Sequence, residues 1–221
     1  MQTIVKILAI ESVTHDVKSF RIEKPAGYEF VPGQATEVSV NKPGMEEEKR
    51  PFTFTSLNEE DHLEFTIKRY SDHHGVTDLL HQLKIGDELI IRDVWGAIEY
   101  KGTGYFIAGG AGITPFLSIL RKLHKEHTAK GNKLFFSNKT AADIICEAEL
   151  KTILGDDAVF VLTKENNPAY LSGHIDENFI RQQVTDFNRH FYICGPDPMI
   201  AGISNILQQC GANPDAVIFE K

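Results

Sequence analysis

Cysteine is scarce in this chain, long apolar runs are absent, and positive charge is in deficit. Each shortage excludes a class of protein. The three cysteines, Cys146, Cys194 and Cys210, are odd in number and widely spaced, so they make neither a disulfide framework nor a paired metal-binding pattern. A built-in iron–sulfur cluster needing four thiolates is therefore excluded, and any such chemistry must come from a partner. No apolar run approaches the roughly twenty residues of a membrane span. The opening segment MQTIVKILAIESVTHDVKSF has no basic start, apolar core or small-residue cleavage site, so no signal peptide and a cytoplasmic location are expected. Lys and Arg number 23 against 31 Asp and Glu, a net charge of −8. That argues against nucleic acid or a membrane surface as the main partner. Lys49, Arg50, Lys68 and Arg69 can still form a local basic patch. No His, Asp and Glu set has metal-ligand spacing, so no metal is expected. No Ser-His-Asp arrangement, internal repeat or low-complexity segment is visible, and the GxGxxG dinucleotide fingerprint is missing.

What is present divides near residue 100. The 221 residues have room for two domains of about a hundred each. The first half holds short runs rich in Val, Ile, Phe and Thr: TIVKILAI, VKSFRIEK, ATEVSV, RPFTFTS, HLEFTIKRY and DELIIRD. Pro-Gly pairs and a Gly-Asp turn break them, which predicts an antiparallel β-barrel or sandwich. One helix is predicted at TDLLHQL. After EYKGTG, apolar strands alternate with helices, the pattern of a doubly wound parallel sheet covered on both faces. The predicted helices include PFLSILRKLHKEH and an unbroken ADIICEAELKTIL. The expected fold is thus two-domain, a β-barrel over 1–100 followed by an α/β domain over 101–221.

Three stretches point to anionic or flat ligands. In FIAGGAGITPF a buried strand runs into Gly109, Gly110 and Gly112, with Thr114 expected to cap the next helix and Pro115 in its first turn. Backbone N–H groups there form an anion site at the carboxyl end of a strand. In FYICGPDPMI a second strand ends at Cys194 with a turn at Gly195 and Pro196, and Asp197 is expected to cap the helix that follows. In RPFTFTS, Arg50 can hold a phosphate and Phe52, two residues on, shares its face and offers a ring for stacking. Gly75 and Thr77 begin the barrel domain's helix, a second phosphate-suited terminus. His73, His74, His124, His127 and the run Glu46 to Glu48 read as solvated surface.

In order and spacing these motifs resemble the ferredoxin–NADP reductase superfamily across nearly the whole chain. Arg50, Pro51, Phe52 and Thr53 match its Arg-x-Tyr-(Ser/Thr) flavin motif, and Gly75, Val76 and Thr77 resemble its flavin-phosphate motif. Gly109 to Pro115 match its Gly-rich loop and Cys194 to Pro196 its Cys-Gly-Pro motif, while Pro32-Gly33-Gln34 and Phe219-Glu220 also fit. The resemblance implies that Arg50 binds flavin phosphates, Phe52 stacks on the isoalloxazine and Thr53 bonds near its N5. Ile67, Lys68, Arg69 and Tyr70 would contact the flavin's nucleotide half. Gly110, Gly112 and Thr114 would cradle the coenzyme pyrophosphate, with Cys194 beside the nicotinamide and Glu220 as a proton-linked carboxylate. It implies FAD rather than FMN, NADPH or NADH as substrate, and a protein acceptor such as flavodoxin or ferredoxin. The alternatives are a flavin reductase releasing free reduced flavin and a non-catalytic electron-transfer subunit. Three departures stand out: Phe52 replaces tyrosine, no aromatic follows Glu220 to cover the flavin, and Thr163 and Lys164 stand where NADPH-specific relatives carry Ser-Arg. Monomer is the default expectation.

Overall fold

A computed structural model describes residues 2–70, 75–96, 98–213 and 217–219. The first sheet comprises β1 (Thr3–Ser12), β2 (Val17–Glu23), β3 (Ala35–Val40), β4 (Arg50–Thr53), β5 (His62–Lys68) and β6 (Glu88–Trp95). Its order is β4-β3-β6-β1-β2-β5, with every pair of neighbours antiparallel. An antiparallel bridge from Phe54 to Phe65 ties the end of β4 to β5 and closes the barrel. Inward residues such as Phe20, Ile22, Val38, Phe54 and Phe65 make its core. The helix expected at TDLLHQL is a single turn and a half, α1 (Val76–Leu80). Leu80 and Leu83 are buried against the barrel, but Leu83 lies beyond the helix.

The second sheet comprises β7 (Gly104–Gly109), β8 (Lys133–Asn138), β9 (Ala158–Leu162), β10 (Leu171–Ser172), β11 (His190–Cys194) and β12 (Val217–Phe219). Its order is β10-β9-β8-β7-β11-β12, all parallel. Helices α2 (Thr114–Lys125) and α3 (Glu147–Leu154) cover one face, and α4 (Glu177–Gln183) and α5 (Asp197–Gln209) cover the other. The chain leaves β7 towards β8 on one side and returns to β11 on the other. The gap above β7 and β11 is the switch point at which open α/β sheets bind ligands.

Local readings need correction. The segment ADIICEAELKTIL is not one helix: a 3-10 turn at Ala141–Asp143 is followed by an extended Ile144 and a left-handed Cys146 with φ 54°, and only then α3. Thr140 and Asp143 cap the start of that 3-10 turn reciprocally, and the extended Ile144 and left-handed Cys146 separate it from α3. Thr114 lies inside α2 and Asp197 inside α5, and neither helix start carries a side-chain cap. Asp176 does cap α4, accepting from the Phe179 N–H at 2.8 Å. The short strand β10 has too little apolar alternation to be read from sequence.

The two sheets are joined by contacts made far apart in sequence. Val17 and Ile98 pack into the apolar cluster beneath α2 and α3. The Gly33 N–H donates to Ser118 Oγ in α2 at 3.0 Å. Gly33 has φ +99°, and a Cβ there would sit 2.4 Å from the Ile98 carbonyl oxygen, so this corner admits only glycine. Arg121 of α2 donates to Glu64 Oε1 at 2.8 Å and to the Thr55 carbonyl at 2.6 Å, both in the barrel, and makes paired bonds to Glu149 of α3 at 2.6 and 2.9 Å. Burial opposes the Arg121 charge, but the Glu149 and Glu64 carboxylates outweigh it and raise its pKa.

Candidate active site

The switch point opens into a cleft of about 700 Å³ between the two sheets. Its barrel side is walled by Pro51, Phe52 and Thr53 at β4, by Thr66, Ile67 and Lys68 of β5, and by Tyr70 and Thr77. Its α/β side is walled by Gly109 to Gly112 and Thr114, by Cys194 to Pro196, and by the ends of β8 and β9. The volume is in the range of small-molecule sites.

β7 is wholly buried and ends at Gly109, after which Gly110–Ile113 form a 3-10 turn. A Cβ on Gly112 would stand 2.2 Å from the Cys194 carbonyl oxygen. The Gly-rich loop is therefore seated directly on the end of β11, which brings two motifs more than 80 residues apart in sequence into one rim. Cys194 pairs in register with Ala108 and is buried at the cleft wall. Phe52 packs against Phe65 of the barrel core with centroids 6.3 Å apart while also lining the cleft, so the core holds its ring from behind. Thr53 is buried beside it.

Several expected residues sit differently. Arg50 is exposed and does not line the cleft; its guanidinium lies 4.0 Å from Glu48 and donates to the Lys49 carbonyl at 2.6 Å. Lys68 lines the cleft, but its ammonium is held by Asp16 at 2.9 Å. Burial pushes the Asp16 pKa up, and the Lys68 and Thr14 hydrogen bonds more than reverse it. Arg69 is engaged with Asp78 at 2.6 Å. Val76 is buried in the barrel core, Gly75 precedes α1 without lining the cleft, and the Thr77 hydroxyl accepts from the Tyr70 N–H at 3.3 Å. Thr163 lines the far end, donating to the Asn138 carbonyl at 3.2 Å, whereas Lys164 stands just outside. Glu220, His73 and His74 lie outside the described residues.

Sequence reasoning passed over Ser137, Asn138, Lys139 and Asp143, which line the cleft where β8 ends. The rule that ligands gather at carboxyl ends of parallel strands applies to β8 as much as to β7, and it is the signal that could have found them. Both amide atoms of Asn138 are buried without a hydrogen-bond partner among the described residues. An orphaned amide in the wall of a cleft is costly alone and suits a ligand that carries both donors and acceptors. With the ring of Phe52, the backbone loop of Gly110 to Gly112 and the apolar Ile67, the wall matches the mixed chemistry of a dinucleotide. Nearby, His15 Nε2 lies 3.7 Å from Asp16 and 3.8 Å from Asp143, linking the β1–β2 turn to the α/β domain.

Comparison with known proteins agrees with this geometry. Residues 4–100 match the oxidoreductase FAD-binding domain and residues 106–205 the oxidoreductase NAD-binding domain. The reductase component of propane 2-monooxygenase from Rhodococcus jostii (strain RHA1) is 29% identical, over 98% of this chain and 62% of its own length. The ferredoxin–NAD(P)+ reductase component of the naphthalene 1,2-dioxygenase system of Pseudomonas putida is 22% identical, over 96% of this chain and 66% of its own. A ferredoxin NADP+ reductase from Neisseria gonorrhoeae, solved with FAD and NADP, superposes with a TM-score of 0.84 at 22% identity, covering 99% of this chain and 98% of that one. The chain spans under two thirds of the length of the propane 2-monooxygenase reductase component. With both domains matched in order, it belongs to the ferredoxin reductase-like family of two-domain flavin and nicotinamide-nucleotide oxidoreductases. Among the described residues, no helix is long and apolar enough to cross a membrane.

Proposed function

We propose that this chain is an NAD(P)H-dependent flavoprotein reductase that passes electrons to a separate protein carrier such as ferredoxin or flavodoxin. The observation that carries this reading is the single cleft in which the Phe52–Thr53 wall of the barrel faces the Gly110–Gly112 and Cys194–Pro196 loops across the switch point. We take the flavin domain as 1–100 and the nucleotide domain as 101–221. FAD, when held there, would supply the redox chemistry of hydride uptake and single-electron release. The chain supplies position. Phe52 offers its face to the isoalloxazine and Thr53 a hydroxyl at its edge. Arg50 swings from its exposed contact with Glu48 to a flavin phosphate, at little cost because a surface ion pair is weak. Gly110, Gly112 and Thr114 receive the coenzyme pyrophosphate on backbone N–H groups. Cys194, Gly195 and Pro196, which line the cleft opposite Phe52 and Thr53, would hold the nicotinamide on its α/β side. A protein acceptor is supported by relatives named as reductase components of a propane monooxygenase and of a naphthalene dioxygenase system.

The test is the visible spectrum of the purified protein before and after anaerobic NADPH or NADH. Flavin bands near one equivalent that bleach on addition support the reading. A colourless protein that takes up no added FAD overturns it. A colourless protein that oxidises the coenzyme only with free flavin would make flavin a substrate instead.

A further inference from the structure

The turn between β1 and β2 meets the α/β domain beside the cleft. Val17 belongs to the apolar cluster beneath α2 and α3, and Val13 and Ala141 pack against that cluster. This shared base holds the turn to the segment that follows β8. Above it, His15 Nε2 lies 3.7 Å from Asp16 Oδ2 and 3.8 Å from Asp143 Oδ1. One ligand atom from each residue falls within 4.8 Å of the others. These separations are too long for direct hydrogen bonds, which close to about 2.7–3.2 Å from nitrogen to oxygen. Two ligands of one tetrahedral zinc ion, each about 2.0–2.2 Å from the metal, stand roughly 3.3–3.6 Å apart. The gaps around His15 therefore suit an ion shared by three groups better than direct contacts.

Each carboxylate is oriented through the oxygen that does not face His15. The Thr14 hydroxyl donates to Asp16 Oδ1 at 3.0 Å. Asp143 Oδ2 accepts from the Thr140 N–H at 2.8 Å and from the Thr140 hydroxyl at 2.6 Å, which leaves Oδ1 towards His15. Outer hydrogen bonds of this kind fix the direction of metal ligands. The His15 side chain is 61% exposed, so an ion reaches it from water. One competitor stands in the site, since Lys68 Nζ lies 2.9 Å from Asp16 Oδ2. An ion must displace that ammonium, which weakens binding and frees the lysine towards the cleft it lines.

We propose that His15, Asp16 and Asp143 form a site for a divalent metal ion of the zinc class, which clips the β1–β2 turn of the barrel to the α/β domain. One imidazole and two carboxylates make a nitrogen and oxygen set that zinc accepts, with water as the fourth ligand. Magnesium holds its water tightly and prefers oxygen, so the imidazole gives it little. Because the ligands come from two domains, the ion binds the folded chain and not the unfolded one. Sequence spacing hid the site, since two ligands are neighbours in the chain and the third comes from the other domain. Nothing in it depends on bound flavin or coenzyme.

The experiment titrates the purified, chelator-treated chain with Zn2+ and with Mg2+ by calorimetry, and records the shift in melting temperature that each metal produces. Wild type is compared with His15→Ala and Lys68→Gln. Wild type is expected to bind one equivalent of Zn2+ with a rise in melting temperature, and to show neither effect with Mg2+ at the same concentration. His15→Ala is expected to bind Zn2+ about tenfold or more weakly and to lose the rise. Lys68→Gln is expected to bind it about threefold or more tightly, because the competing ammonium is gone. Wild type that binds no Zn2+ overturns the inference. So does a Zn2+ shift that survives in His15→Ala, which would put the ion on other groups. An equal response to Mg2+ overturns it too, as attraction to an acidic surface alone. So does unchanged affinity in Lys68→Gln, because the ion would then not be competing for Asp16.

Discussion

Gly112 is the residue on which the cleft's rim depends most directly. Its missing Cβ is what lets the loop after β7 rest on the Cys194 carbonyl, with only 2.2 Å available. We expect Gly112→Ala to push the loop off β11, lowering stability by about 1–3 kcal/mol and weakening coenzyme binding. Urea denaturation and a coenzyme titration check the two effects, and an unchanged midpoint would contradict the account. Phe52 poses a complementary case, since the barrel core holds one side of its ring and the cleft receives the other. Phe52→Ala should weaken flavin binding roughly tenfold while Phe52→Tyr retains it. Titration of the deflavinated protein with FAD measures this. Cys146 shows the opposite character: burial, helped by Glu149, pushes its thiol up to about 12, which disfavours the nucleophilic thiolate.

At the scale of elements, helix α2 does two jobs. Its start follows the Gly-rich loop, and its middle carries Ser118 and Arg121 to the barrel. Glu64 of β5 is buried, which alone would raise its pKa, but Arg121 outweighs burial and holds it below the ordinary 4.5. A carboxylate with a lowered folded pKa contributes stability above its unfolded value and loses it as pH falls through the folded one. Arg121→Met takes this partner away and leaves the buried Glu64 with the 3.4 Å contact from Arg21 and the Thr55 hydroxyl. We expect a loss of about 3 kcal/mol at pH 7. Without Arg121 the burial that opposes the Glu64 charge loses its largest counterweight, so the carboxyl takes up a proton at higher pH than in wild type. The deficit relative to wild type should therefore shrink as pH falls from 7 towards about 4, whereas loss of simple packing alone would leave it unchanged with pH. Denaturant melts of both proteins across that range decide it.

For the whole molecule, the question is whether the barrel and the α/β domain unfold separately. Val17 and Ile98 belong to the same apolar cluster as α2 and the buried face of the parallel sheet, and Arg121 joins three elements across the seam. We expect one calorimetric transition with matching calorimetric and van't Hoff enthalpies. Two resolved transitions would show that the seam is weaker than its burial suggests. The cleft exists only because of this seam, since its two walls belong to different sheets.

The strands and their order were legible because they obey local rules. Alternation in VKSFRIEK and continuous burial in YFIAG follow from whether one or both faces of a sheet are covered. The turns at Gly33 and Gly109 to Gly112 were legible because only glycine suits such backbones and approaches. What depends on meeting distant chain was not legible. Sequence could not show that Arg50 points away from the cleft, that Lys68 is occupied by Asp16, or that Ile144 and Cys146 break a helix their segment seems to continue. Nor could it place Lys139 beside Lys164, or Arg121 beside Glu64, 57 residues away. The sequence by itself determined two domains, their classes and the motifs that face a ligand, because hydrophobic period and glycine are properties of neighbours along the chain. Only the tertiary structure decided which charges remain available in the cleft, because a charge's availability depends on the partner that folding brings to it.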